Sequence, residues 1–331
     1  MKTKSRMMGV VAATATAVAL AVGVMQKEAD SQGAKTIKID GSSTVFPITE
    51  AVAEEFQKQK KGSVRVTVGV SGTGGGFEKF CSSNPGVRTD ISNASRPIKK
   101  EEIEACQKSG VEFIELPVAY DALTVVVNKN NKAIDSITVE ELRTIWSKES
   151  QQKGIKRWNQ VNPKWPNAEF KLYGPGLDSG TYDYFKEAVL GKNNDIRSDF
   201  TPSEDDNVLV QGVARDPNGM GYFGFAYYEE NTDKLKALAI VNPETKKPVL
   251  PSAQNVLNGS YKPLSRPLYI YVSKASANKP EVKEFVKFYL QNAAKLSRQV
   301  GYVPLPAEDY RKAQARFDKG EVGRVPLRAG L

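Results

Sequence analysis

Thr36-Ile-Lys-Ile-Asp-Gly-Ser-Ser-Thr-Val-Phe-Pro47, followed downstream by Val64-Arg-Val-Thr-Val-Gly-Val70, is the stretch on which the fold reading rests. Thr36 to Asp40 reads as a short strand. From Val45 to Lys60 the apolar residues Val45, Ile48, Val52 and Phe56 recur at helical spacing. Pro47 is admissible in the first turn of such a helix. Val64, Val66, Val68 and Val70 then alternate with Arg65, Thr67 and Gly69, the period of two expected of a strand. Strand, helix, strand is the unit from which parallel sheets are built. The link between the first strand and the helix, Gly41-Ser-Ser-Thr44, presents hydroxyls where a helix begins.

The same alternation continues outward. Glu101 to Gln107 reads as a helix, and Phe113 to Leu116 and Leu123 to Val127 as two strands. Thr138-Val-Glu-Glu141 is a capping box that opens a helix through Trp146. Ser147 to Asn167 reads as a packed excursion. Phe170 to Tyr173 is a strand, Tyr182 to Leu190 a helix, Tyr222 to Phe225 and Leu268 to Val272 late strands, and Glu281 to Val300 a long amphipathic helix. The expected class is α/β, with mainly parallel sheets flanked by helices.

Composition narrows the chemistry. The 331 residues include no histidine and only two cysteines. That excludes a Ser-His-Asp triad, a Cys-His pair and the common zinc sites, so binding is favoured over catalysis and neither metal nor cofactor is expected. There is no dinucleotide fingerprint, no G-x-x-x-x-G-K-[ST] and no G-x-S-x-G elbow. The net charge of +9 is dispersed. Lys58, Lys60 and Lys61 close a helix, where cations complement the dipole, and Lys99-Lys100 run straight into Glu101-Glu102. No basic stripe with interleaved aromatics points to nucleic acid.

The N-terminus, residues 1–33, reads as a secretory leader and linker. Lys2, Lys4 and Arg6 precede an uncharged run from Met7 to Val24, with Ala21 and Gly23, or Ala29, as cleavage positions. An uncleaved anchor retained on the inner membrane is the alternative, since 18 residues just span a bilayer. Export makes a disulfide admissible. Cys81 and Cys106 are then expected to pair; two separately buried thiols are the alternative.

One loop design recurs. Besides Gly41-Ser-Ser-Thr44, the chain has Ser71-Gly-Thr-Gly-Gly-Gly76, Asn93-Ala-Ser-Arg-Pro97 and Asp178-Ser-Gly-Thr181, each read as following a strand and opening a helix. Hydroxyls and backbone N–H groups at the positive end of a helix bind anions without a formal charge. Several such loops outside the carboxyl ends of the strands would form the ligand crevice of an open α/β sheet.

At these residues the sequence resembles the phosphate-binding proteins of ABC importers, the PstS family of type II periplasmic binding proteins, and most of all its SphX-type branch. The likeness also takes in Asp90-Ile-Ser-Asn-Ala-Ser-Arg-Pro-Ile98, Gly219-Met-Gly-Tyr-Phe-Gly-Phe-Ala-Tyr227 and Gly301-Tyr-Val-Pro-Leu-Pro306. The resemblance implies two lobes joined by two crossover strands, near Tyr120–Ala122 and Leu264–Leu268. Residues 34–121 and 264–331 would form one lobe and 122–263 the other. It implies inorganic phosphate held between the lobes by Ser43, Thr44 and the N–H of Val45, by Ser71 or Thr73, and by Ser179, Gly180 and Thr181. A monomer is implied, working with the permease and ATPase subunits of an importer.

The chain departs from the family at two positions. Ser95 stands where many members carry the carboxylate that accepts the phosphate proton, and Pro175 stands where they carry an arginine. Arg96 is therefore the expected guanidinium, with a surface ion pair as its alternative. Asp178 is the first candidate proton acceptor, with a helix cap or a partner for Arg96 as its alternative, and Asp121 is the second candidate. The departure leaves other oxyanions (sulfate, arsenate, molybdate) open as ligands. A phosphate-ester hydrolase is the remaining alternative.

Overall fold

The structure, a computed structural model, describes residues 35–177, 179–191 and 193–325. The leader and Asp178 lie outside the described residues, so the expectations placed on them have no structural counterpart.

Thirteen strands are formed by the described residues: β1 (Lys35–Gly41), β2 (Val64–Val68), β3 (Ile91–Ala94), β4 (Phe113–Asn128), β5 (Ser136–Ile137), β6 (Lys171–Gly174), β7 (Thr201–Pro202), β8 (Gly219–Gly224), β9 (Leu235–Ala237), β10 (Ala239–Val241), β11 (Pro248–Val249), β12 (Ser265–Ser273) and β13 (Val303–Pro304). Ten belong to one sheet, whose main path runs β2-β1-β3-β12-β4-β8-β6-β7; β13 and β9 also pair with β4. A small sheet, β11-β10-β5, stands apart. At one end β1 is parallel to both β2 and β3. At the other, β6 is parallel to β7 and β8. The middle is antiparallel, with β12 against β3 and β4, and β4 against β8. The α/β architecture expected from the sequence is the one observed.

The opening βαβ unit forms as read. The helix Phe46–Lys60 carries Pro47 in its first turn and Lys58 and Lys60 in its last, and it buries Ile48, Val52 and Phe56. Its partner is the helix Pro280–Gln299, with Phe56 packed edge-on to Phe285 at 5.3 Å between ring centres. The capping box at Thr138 also forms: Glu141 N–H donates to Thr138 Oγ1 (3.1 Å) and Thr138 N–H to Glu141 Oε2 (2.8 Å). The excursion from Ser147 contains two short helices, Lys148–Gln152 and Trp158–Val161, and Trp158 packs on Trp165 and Phe170.

Three readings change. The two strands expected at Phe113–Leu116 and Leu123–Val127 are one continuous strand of 16 residues, β4. Pro117 and Asp121 interrupt the apolar pattern, but pairing with β12 carries the strand through, with a register irregularity between Leu268 and Tyr269. The helix expected from Tyr182 starts at Gly180 and becomes a π-turn at Lys186–Leu190. The Asn93 loop does not open a helix directly: Asn93 and Ala94 are the end of β3, and the helix begins only at Lys100, because Pro97 holds the preceding chain extended.

Cys81 and Cys106 are joined in a disulfide that closes a loop of sequence separation 25 around β3 and the Ser95-Arg96 turn. Closing a loop of that length removes about 3 kcal/mol of chain entropy from the unfolded state. Cys81→Ala/Cys106→Ala is therefore expected to lose about that much stability in denaturant unfolding. An unchanged unfolding midpoint would contradict this.

Candidate functional site

A cleft of about 930 Å³ lies where the loops at the two ends of the sheet meet. Ser42, Ser43, Thr44, Gly72, Thr73, Gly74, Ser95 and Arg96 line it on one side. Asp183, Tyr184, Lys186, Glu187 and the Pro263–Arg266 segment contribute to the rest. The first loop and the Ser179 loop face each other closely: a Cβ on Gly180 would stand 3.5 Å from Thr44 Cα and Oγ1.

Gly41 sets the first loop. It holds φ +141° and lies so tightly on β3 that a Cβ would fall 2.2 Å from the Asn93 carbonyl oxygen. Ser42 N–H donates to that carbonyl (3.0 Å) and Phe46 N–H to Ser42 O (3.1 Å), which starts the helix. Thr44 is thus presented at the first turn of a 15-residue helix, whose leading N–H groups have no acceptor within the helix. Val45 is buried beneath it.

A guanidinium reaches Thr44 from an unexpected place. Arg266, on β12, donates from Nη2 to Thr44 Oγ1 (2.8 Å) and from Nε to Asp121 Oδ2 (3.2 Å). β12 and β4 set Arg266 and Asp121 directly opposite each other. The guanidinium carbon also lies 3.5 Å from the centre of the Tyr184 ring, in cation–π geometry. Tyr184 is fixed in turn by donating its hydroxyl to Pro263 O (2.8 Å). Asp121 is 2% exposed. Burial pushes its carboxyl above the usual range, and the Arg266 charge opposes that. Because Thr44 Oγ1 accepts from Arg266, its single proton is left to donate elsewhere. Tyr302 completes the support by donating to Thr44 O (2.7 Å).

Arg96 also borders the cleft, but its charge is engaged. Its Nη1 and Nη2 donate to Glu102 Oε2 and Oε1 at 2.8 and 2.7 Å, a bidentate pair. The ion pair weighed as its alternative is what the structure holds. Thr73 faces the cleft and shares a hydrogen bond with Ser95, Oγ1 to Oγ, at 3.2 Å, while Ser95 N–H donates to Thr73 Oγ1. Two hydroxyls that share one bond keep a second proton for a ligand. Ser71 is turned away: its hydroxyl donates to Asp40. Ser179 caps the helix Gly180–Phe185 by accepting from Thr181 N–H (3.2 Å).

Sequence reasoning passed over Arg266, Tyr184 and Tyr302 as site residues. Arg266 stood in a segment read only as a crossover, with no motif around it. Tyr302 lay within Gly301-Tyr-Val-Pro-Leu-Pro306, a stretch whose likeness to relatives was visible but whose role was not.

The arrangement is that of a binding protein: hydroxyls, helix starts and one buried guanidinium around a solvent-filled cleft. Comparison with known proteins agrees. The PBP superfamily domain matches residues 26–293, and the chain belongs to that superfamily, with the type II periplasmic binding protein fold. Within it, the chain belongs to the family of the SphX and PstS proteins. It is 59% identical over 299 residues to protein SphX of Synechococcus elongatus, covering 90% of this chain and 86% of that one. It is 44% identical to the phosphate-binding protein PstS of Staphylococcus saprophyticus, over 88% of this chain and 87% of that one. The crystal structure of a possible phosphate binding protein from Planctomyces limnophilus superposes with a TM-score of 0.82 at 42% identity, covering 87% of this chain and 99% of that one.

Proposed function

We propose that this protein is an exported phosphate receptor, which captures inorganic phosphate in the cleft and delivers it to the permease and ATPase subunits of an ABC importer. The observation that carries the proposal is Arg266, held between buried Asp121 and the Thr44 hydroxyl and facing the Gly180 loop. In this reading phosphate displaces water against Thr44, the N–H of Val45, and Thr73 with Ser95. Ser179, Gly180 and Thr181 close on it from the other side. Arg266 supplies the positive charge. Asp121 both holds Arg266 and stands as the nearest described carboxylate able to take the phosphate proton.

The lobes follow the expected boundaries, 34–121 with 264–331, and 122–263. They are supported by the antiparallel register of Tyr120–Ala122 against Ser265–Pro267, where the two crossing segments run side by side. Closure of one lobe on the other would trap the anion and present the closed form to the permease. The protein acts in the periplasm, as a monomer, and performs no catalysis. Among the described residues no helix is long and apolar enough to cross a membrane.

Calorimetric titration of phosphate-stripped protein at neutral pH tests the proposal. Phosphate is expected to bind one-to-one, with excess sulfate leaving the titration intact. A carboxylate beside the anion is repulsive to sulfate, which has no proton to give it, and tolerable to phosphate, which does. No heat with phosphate would remove the reading. Equal competition by sulfate would keep the cleft and change its ligand.

A further inference from the structure

We infer that Asp40 and Lys79 form a charge-compensated clasp behind the phosphate site: Asp40 is a positioning residue for the glycine-rich loop, and Lys79 cancels its charge. The inference rests on the reading of the cleft given above. Asp40 ends β1 immediately before Gly41 and is 8% exposed. One of its carboxylate oxygens accepts from the Ser71 hydroxyl and the other from Lys79 Nζ at 2.6 Å. A serine hydroxyl has one proton. In Ser71 it is given to Asp40, so Ser71 serves as an anchor and the loop meets the cleft through Gly72, Thr73 and Gly74.

The backbone reinforces the anchor. Ser71 N–H donates to Gly41 O (3.2 Å) and Gly69 N–H to Ile39 O (2.9 Å). A Cβ on Gly69 would lie 2.3 Å from Asp40 Oδ2, so glycine is what lets the carboxylate lie against the end of β2. The first two ligand loops are thereby one unit, tied at Asp40.

Such a tie has an electrostatic cost. Asp40 is two residues from Ser42, the first residue of its loop to line the cleft. That is within the Debye length of about 8 Å, so its charge is felt by an anion there. Lys79 removes the conflict, and it comes from the helix Gly72–Phe80, which the same loop opens. Lys38 and Arg65 share the outer groove with this pair, but Lys38 Nζ donates to Gly86 O (3.4 Å) rather than to Asp40.

The test is phosphate calorimetry, with thermal unfolding alongside, on the full chain and on Lys79→Met, Lys79→Arg, Asp40→Asn and Asp40→Asn/Lys79→Met. Lys79 is half exposed, so its substitutions are compatible with folding. Lys79→Met is expected to bind about tenfold more weakly, the order of one uncompensated like charge at this range. Lys79→Arg should bind as the parent does. The double variant, which carries neither charge, should recover to within about threefold of the parent. A merely structural clasp predicts the opposite, a double variant no better than Lys79→Met. That result, or unchanged binding by Lys79→Met, would overturn the inference while leaving the cleft reading in place. A parent protein that fails to bind phosphate would overturn both.

Discussion

Replacing Arg266 by alanine is expected to weaken phosphate binding by about three decades, roughly 4 kcal/mol. The substitution removes the one guanidinium bonded to Thr44 and strands the carboxylate that held it. Asp121, at 2% exposure, would then be a buried charge without its partner, a state that costs about 3–5 kcal/mol of stability. The pH dependence has a definite sign. Burial already raises the Asp121 carboxyl above its ordinary range, and loss of Arg266 raises it further. A carboxyl whose folded pKa lies above its unfolded value costs stability as pH rises through that interval, because the folded form must give up a proton it holds more tightly. The melting deficit of Arg266→Ala should therefore be large at pH 8 and shrink toward pH 5. Asp121→Asn/Arg266→Met serves as the control: it should recover most of the stability and none of the binding. Binding retained by either variant would place the anion elsewhere, and a deficit independent of pH would show that Asp121 is not the stranded group.

Gly41→Ala is the second large effect, expected to cost at least about 3 kcal/mol of stability. The new methyl would lie 2.2 Å from Asn93 O and 2.9 Å from Asn93 N, both backbone atoms of β3, and the residue would have to keep φ near +141°. Neither neighbour can yield without opening the sheet between β1 and β3, and the Ser42–Thr44 turn would move with it. Any folded fraction should bind phosphate more weakly. Gly62→Ala is the comparison that isolates packing from backbone conformation. Gly62 also has positive φ, +84°, but nothing lies within 4 Å of its added Cβ, so its cost should stay near 1–2 kcal/mol. Denaturant unfolding of the two variants decides the matter; equal losses would mean that contact with β3 contributes nothing.

Much of this was legible in the chain because it depends on local periodicity and local chemistry. The valines of β2 and the Val45–Phe56 spacing specify strand and helix through burial of one face. The hydroxyl-rich turns at Thr44, Thr73, Ser95 and Ser179 are encoded by residues adjacent in sequence, and all four reach the cleft region. The Pro117–Asp121 interruption of β4 was misread because a polar, donor-poor stretch looks like a turn until a partner strand is present to pair with it. For Ser71 against Thr73 the deciding fact was Asp40, 31 residues earlier, which draws the Ser71 proton away.

The choice of guanidinium shows where sequence stops. Arg96 lies beside a hydroxyl-rich turn, and proximity in the chain made it the natural choice. Glu102, six residues later, takes both of its amino groups. Arg266 is 222 residues from Thr44 and 145 from Asp121, and nothing local marks it. The sequence by itself determined the α/β class, the order of elements, the family likeness and the four hydroxyl-bearing loops, because each follows from side-chain spacing within a few residues. Only the tertiary structure decided which charge meets which hydroxyl. That choice is made by the register of β12 on β4, and a register is an energy of pairing between distant segments that no short stretch of either strand contains.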